Sequence, residues 1–150
     1  MRVDMQVNLR GDYMANRIGY CALCADILHI GHIRFLIECK SKCDRLIVGL
    51  MTDGCILDYK GKLPIMKYGD RQALLLAIKY VDDVIPQCTF EFSPYVNQMA
   101  DIIFDSSQHK RKGATEIIEY TKGISSTKIK EKIIEAHNSK CKAKRGVKRK

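Results

Sequence analysis

The chain has 150 residues, 46% of them hydrophobic and 29% charged, a composition that supports one packed domain and excludes a disordered or fibrous chain. Its formal charge is +9, but seven of those charges sit in residues 138–150 as Lys140, Lys142, Lys144, Arg145, Lys148, Arg149 and Lys150, with no acidic residue between them. The nearly balanced remainder argues against a basic face built for duplex DNA.

Residues 1–13 show no clear period and are expected as an N-terminal extension, either an added strand or a loose arm. From residue 18 onward apolar runs alternate with helical patterns, which predicts a parallel α/β sheet with crossover helices. Ile18 to Ala25 reads as a strand and His32 to Cys43 as a helix burying Ile33, Leu36 and Ile37. Arg45 to Met51 is a continuous apolar strand closed by Thr52, Asp53 and Gly54, and a basic loop follows over Tyr59 to Pro64. Asp70 to Tyr80 is expected as a helix, Asp83 to Pro86 as a strand, Pro94 to Met99 as a short helix, and Asp101 to Phe104 and Glu116 to Tyr120 as strands. Ser125 to His137 closes the domain as a helix. The domain is thus expected over 14–137, followed by a flexible basic tail over 138–150. That tail could serve as a solubilising end, a nuclear address, or a contact for RNA or another anionic partner.

No apolar run approaches the roughly 20 residues of a membrane span, and the polar N-terminus has no apolar leader, so neither a span nor secretion is expected. The seven cysteines form an odd set, which predicts reduced thiols and a cytoplasmic setting, with a nuclear one open through the basic run. Cys21, Cys24, Cys39 and Cys43 come close to zinc spacing. Cys21 and Cys24, however, should face opposite sides of a strand, so buried thiols are the expectation and no protein-held metal is predicted.

Ligands of a parallel sheet bind beyond the carboxyl ends of its strands. Two stretches there carry chemistry. The first is Asp26 to His32, where His29 and His32 flank Gly31 at a helix entry, as imidazoles that can donate to phosphate oxygens would. The alternative is an ordinary helix cap. The second is Gly123 to Lys128, in which Ser125, Ser126 and Thr127 with free N–H groups form an anion cradle. Serine at a helix start also needs no ligand, and the weight of this stretch comes from its pairing with the histidines.

His29-x-Gly31-His32, Tyr68-x-x-Arg71 and Ile124-Ser-Ser-Thr127, in that order, resemble the cytidylyltransferases typified by glycerol-3-phosphate cytidylyltransferase. Cys24 to His32, Gly49 to Asp53, Tyr59 to Pro64, Val81 to Gln87 and Tyr120 to Thr127 are especially similar to phosphonate-type members of that H-x-G-H nucleotidyltransferase superfamily. The likeness runs over about residues 18 to 134. It implies a Rossmann-like parallel sheet of about five strands with helices on both faces, and a homodimer.

The implied reaction is transfer of a cytidylyl group from CTP to a small phosphorylated or phosphonylated alcohol or amine, with pyrophosphate leaving. His29 and His32 would meet the α-phosphate, and Ser125, Ser126 and Thr127 the β- and γ-phosphates. Arg71 with Lys60 or Lys62 would neutralise the acceptor or the triphosphate, Lys62 and Arg71 being the acceptor's contacts. Cys24, Ala25, Asp26, Gly31, Ser106, Tyr120, Gly123 and Ile124 would surround the nucleotide. Mg²⁺ would bridge phosphates, with Asp26 either orienting the histidines, reaching the ion through water, or capping the helix. Where relatives carry G-D-D-W, this chain has Asp105, Ser106, Ser107 and Gln108, and a short connection follows with Lys110, Arg111 and Lys112. That basic triplet could grip phosphate or remain a solvated loop. Two other readings stay open: an adenylyltransferase of the same fold, and a nucleotide-binding protein whose tail engages RNA or an anionic partner.

Overall fold

The computed structural model describes residues 16–147 together with residues 6, 7, 13 and 14. Two short strands, β1 (Gln6–Val7) and β2 (Tyr13–Met14), pair antiparallel. The pair crosses the expected boundary between 13 and 14; the rest of the expected extension lies outside the described residues.

The main sheet has five parallel strands: β3 (Ile18–Leu23), β4 (Arg45–Met51), β5 (Asp83–Gln87), β6 (Ile102–Ser106) and β7 (Glu116–Ile118). Their order is β5-β4-β3-β6-β7, with Cys21 beside Val48 on one side and Phe104 on the other. Helices join them: α1 (Ile30–Lys40), α2 (Asp53–Lys60), α3 (Tyr68–Leu76), α4 (Pro94–Met99) and α5 (Ser126–Val147). This is the Rossmann-like α/β architecture that the motif order implies.

Strand alternation divides the core between the two faces of the sheet. Cys21, Leu46, Val48 and Leu50 pack with Leu36 and Cys39 of α1 and Leu75 of α3. Tyr20, Ala22, Ile47 and Ile103 pack on the other face with Phe92 and with Val96 of α4. Cys21 and Cys39 therefore belong to apolar core, whereas Cys24 bonds Met51 Sδ at 3.3 Å in a third cluster with Cys55. No group of three or more metal-ligating side chains occurs among the described residues.

Ile37, expected inside, is exposed on α1, and α3 ends at Leu76 rather than Tyr80; two elements depart further from expectation. The stretch from Asp53 to Lys60 is a helix, where the sequence suggested a turn and then a loop from Tyr59. Thr52-Asp53-Gly54 is a helix start, not a strand stop: Thr52 Oγ1 accepts the Cys55 N–H at 3.2 Å, and Gly61 closes the helix at φ 68°. The second departure is α5, which runs ten residues past His137 to Val147. Lys, Ala and Arg are good helix formers and no proline interrupts them. The change at 138 is therefore one of charge and not of backbone, and the tail expected as flexible is helical up to Val147. Residues 131–140 of α5 are all exposed. No helix among the described residues is long and apolar enough to cross a membrane.

Gly49 marks the tightest point of the sheet. A Cβ there would lie 1.8 Å from Tyr20 Oη and 2.7 Å from Gln87 Oε1, which accepts the buried Tyr20 hydroxyl at 2.6 Å. Gly49→Ala should therefore cost about 1–3 kcal/mol of overpacking, read as a lower urea midpoint with an unchanged denaturant slope.

Candidate active site

The carboxyl end of β3 is built from unusual backbone. Ala25 is buried and holds φ 49°, a left-handed conformation that a non-glycine residue adopts only when its surroundings impose it. It turns the chain into the loop that carries Asp26 and the histidines.

His29 is itself the N-cap of α1. Its Nδ1 accepts the Gly31 N–H at 3.1 Å, while His32 Nδ1 accepts the His29 N–H at 3.3 Å, forming a capping box made of two imidazoles. A ring nitrogen that accepts carries no proton, so in each neutral ring the proton stands on Nε2. Both histidines thus cap the helix and keep an N–H donor on the ring edge turned away from the cap. The rings lie 4.0 Å apart between centroids. Burial lowers the pKa of His29, and burial with the nearby His29 and Lys60 brings that of His32 down to about 4. At neutral pH both rings are uncharged donors at a helix N-terminus. Gly31 is needed for this packing: a Cβ there would meet His29 Cε1 at 2.8 Å.

Asp26 does not cap the helix. Its Oδ1 accepts the N–H groups of Ile65 (2.7 Å) and Met66 (3.0 Å), and its Oδ2 takes the Lys130 ammonium. Burial would raise its pKa, but the Lys130 and backbone bonds outweigh burial and hold it below the ordinary carboxylate value. The start of α5 reaches the same place from the other edge of the sheet. Ser126 Oγ donates to Ile27 O at 3.2 Å, and Ser125 Oγ accepts the Lys128 N–H, an ordinary capping bond. Gly123, at φ 90°, turns the chain into that helix, and Tyr120 Oη donates to Ile124 O at 3.0 Å.

These segments enclose a cavity of about 570 Å³, a volume usual for a small-ligand site. Its wall includes Cys24, Ala25, Asp26, His29, Gly31 and His32, then Lys60 and Lys62, and finally Ser106, Tyr120, Ser125, Ser126 and Thr127. The histidines and the hydroxyl stretch, nearly a hundred residues apart, face one space.

Three expected site residues stand elsewhere. Arg71 is fully buried outside the cavity wall. Its Nε donates to Met66 O, its Nη1 to Cys24 O and Met51 O, and its Nη2 to Asp53 Oδ1 at 2.6 Å. It is therefore a positioning residue that bolts the 61–67 loop to the ends of β3 and β4, and not a ligand of phosphate. Gly123 and Ile124 do not line the cavity either; they shape the turn, and Ile124 backs Gly31.

The sequence reading missed other residues of the wall. Lys130 lies four residues after Ser126, one helical turn along, and that spacing was visible. The pairing of Asp105 with Arg111 was not legible: they form a buried ion pair closing the loop after β6, with Asp105 Oδ2 accepting the Arg111 N–H at 2.6 Å. Arg111 answers the question left open for the basic triplet, being buried and ion-paired while Lys110 and Lys112 are exposed.

The model of the cytidylyltransferase-like family matches residues 24–110, more than half of the chain. The chain belongs to that family. It is therefore a nucleotidyltransferase-fold protein with the H-x-G-H element in place. It is 31% identical over 132 residues to the bifunctional protein HldE of Granulibacter bethesdensis, a match covering 77% of this chain and 27% of that protein. It is 48% identical over 60 residues to FAD synthase of Pyrococcus abyssi, covering 40% of each. The chain thus spans well under half the length of these relatives. Among solved structures, the lipopolysaccharide core biosynthesis protein of Thermoplasma volcanium is similar at a TM-score of 0.61 and 26% identity, covering 72% of this chain and 98% of that one.

Two outcomes follow from the site's bonding. Arg71→Met leaves three carbonyls and the Asp53 carboxylate without their donor, and should lower stability by about 3–5 kcal/mol in urea unfolding; Arg71→Lys should not restore it, because an ammonium lacks the planar fork. The second outcome concerns pH. An unfolded histidine takes its proton near 6.5 and folded His32 only near 4, so between those values the unfolded chain binds more protons. The contribution of neutral His32 is present above about 6.5 and is lost as pH falls to about 4. The unfolding midpoint should decline over that window, and less so in His32→Gln, which keeps a side-chain acceptor at the capping position.

Proposed function

We propose that this protein transfers a cytidylyl group from CTP to a small phosphorylated or phosphonylated acceptor. An oxygen of the acceptor's phosphate or phosphonate attacks the α-phosphorus in line; that P–O bond forms as the bond to the β-phosphate oxygen breaks, and its electron pair leaves with pyrophosphate. No covalent bond to the protein is required, so the chain's part is positioning and charge stabilisation.

The supporting observation is the shared cavity. His29 and His32 offer neutral Nε2–H donors to the α-phosphate, where charge builds in the transition state. The start of α5 offers its free N–H groups and the hydroxyls of Ser125 and Thr127 to the leaving phosphates, the Ser126 hydroxyl being spent on Ile27 O. Lys60, close enough to His32 to lower its pKa, adds a positive charge beside the reacting phosphorus. Mg²⁺ fits this donor set as an ion carried on phosphate oxygens, which needs no protein cage, and would supply further neutralisation of the triphosphate. The homodimer implied by the family resemblance belongs to the same reading.

Cytosine preference rests on the family resemblance. The likeness to a protein named for making FAD, an adenine dinucleotide, favours a second reading, adenylyl transfer at the same site. Pyrophosphate release measured for four nucleoside triphosphates against a panel of phosphoesters and phosphonates, with Mg²⁺, separates the two: CTP should give the highest kcat/KM, and ATP in its place selects the second. His29→Asn keeps a good N-cap acceptor but removes the Nε2–H. It should fold normally and lose about a hundredfold or more in kcat. Near-normal turnover in that variant would refute the histidine role. Absence of pyrophosphate from every nucleotide, with nucleic-acid binding lost on removal of residues 138–150, would identify a binding protein instead.

A further inference from the structure

The β4 side of the cavity has its own chemistry, and the sheet order says what approaches it. The hydroxyl stretch follows β7 on one side of β3, whereas Tyr59, Lys60 and Lys62 follow β4 on the other, with the histidine loop between. In-line displacement sets the incoming oxygen opposite the departing pyrophosphate. With pyrophosphate at the start of α5, the acceptor enters beside Lys60 and Lys62.

That side is bounded by the loop after β6. His109, Gln108 and Arg111 reach the cavity wall there. Arg111 stands over the Phe90 ring at 4.5 Å and the Phe92 ring at 5.5 Å, and its buried Nε has no hydrogen-bond partner among the described residues. Tyr59 stacks on Phe90 at 4.1 Å, so Phe90 is already covered by a ring and a guanidinium. His109 meets Tyr59 and Phe90 edge-on. Burial, together with Arg111 and Lys60, lowers its pKa against a smaller opposing pull from Asp105, so the ring is uncharged at neutral pH.

Three carboxylates line the whole cavity, and none is open at this end. Asp26 holds Lys130, Asp105 holds Arg111, and Glu119 follows β7 on the opposite side. A substrate ammonium group would find Lys60, Lys62 and a guanidinium and no free carboxylate. Oxygen would find donors.

We infer that the acceptor's far end, remote from its phosphorus, bears a hydroxyl or carboxylate oxygen and not an ammonium group. This rests on the transfer reaction proposed above and narrows the alcohol-or-amine class to its oxygen members. His109 and Arg111, in the short connection that follows the positions where relatives carry G-D-D-W, are its specificity determinants.

The test compares aminoethylphosphonate, hydroxyethylphosphonate and phosphonoacetate, which are similar in size and differ at the far end. With the full chain, Mg²⁺ and the preferred nucleotide, the hydroxyl or carboxylate compound should exceed the ammonium compound in kcat/KM by about tenfold or more. His109→Glu, checked for folding by circular dichroism, should shift that ratio toward the ammonium compound by a similar factor. Equal or better turnover of aminoethylphosphonate, or an unmoved ratio in the variant, overturns the inference. If no acceptor yields pyrophosphate, the transfer reaction itself has failed, and calorimetric binding of the same three compounds still decides: tighter or equal binding of the ammonium compound overturns the inference, and weaker binding upholds it.

Discussion

At the end of β3 one carboxylate joins three stretches of chain. Asp26 accepts the N–H groups of Ile65 and Met66 from the loop between α2 and α3, and the ammonium of Lys130 from α5. Without those donors the mostly buried charge would be costly, so the loop and the helix are drawn to it. Beneath it Arg71 ties Met66, Cys24, Met51 and Asp53 together. The two groups act in series, since Met66 gives its N–H to one and its carbonyl to the other. The distance between Lys60, Lys62 and the histidines is thereby set before any ligand arrives, which is the preorganisation that a reaction run by positioning needs.

The histidine pair shows how one side chain serves fold and chemistry together. Capping uses Nδ1 of each ring, which fixes the tautomer and hence the identity of the free donor. Protonation would break both caps and place two like charges 4.0 Å apart between ring centres. Burial opposes it as well. The site therefore relies on neutral donors, the N-terminus of α1 and Lys60 for its positive potential, and not on an imidazolium.

Family membership sets the fold and the reaction type, while the loop after β6 carries what differs. In this chain that loop is short, closed on itself by the Asp105–Arg111 pair, and strained at Lys110, where φ is 51°. It leans toward Tyr59 and Phe90, so a segment that follows β6 helps shape the side of the cavity reached from β4. A parallel sheet allows such reach because all its strands end on one edge, where loops from distant strands meet. Loops on such an edge can change without disturbing the core.

The strand and helix order was legible because each element carries its own period, as in the apolar run Arg45 to Met51 and the residues Leu36 and Leu75. The H-x-G-H and I-S-S-T stretches were legible because a helix start has a local chemistry that short spacing reveals. α2 was not, since Thr52-Asp53-Gly54 serves equally as a turn or a helix entry, and only the Cys55 N–H bonded to Thr52 decides between them. Arg71 shows the wider limit. Its motif marks it as charged and placed near the site, but whether a guanidinium meets a phosphate or three carbonyls depends on what surrounds it. The residue types and local periods came from the chain itself. The partners of Asp26, Arg71 and Arg111 came from tertiary packing, because a buried charge takes whichever opposite groups the fold brings within reach.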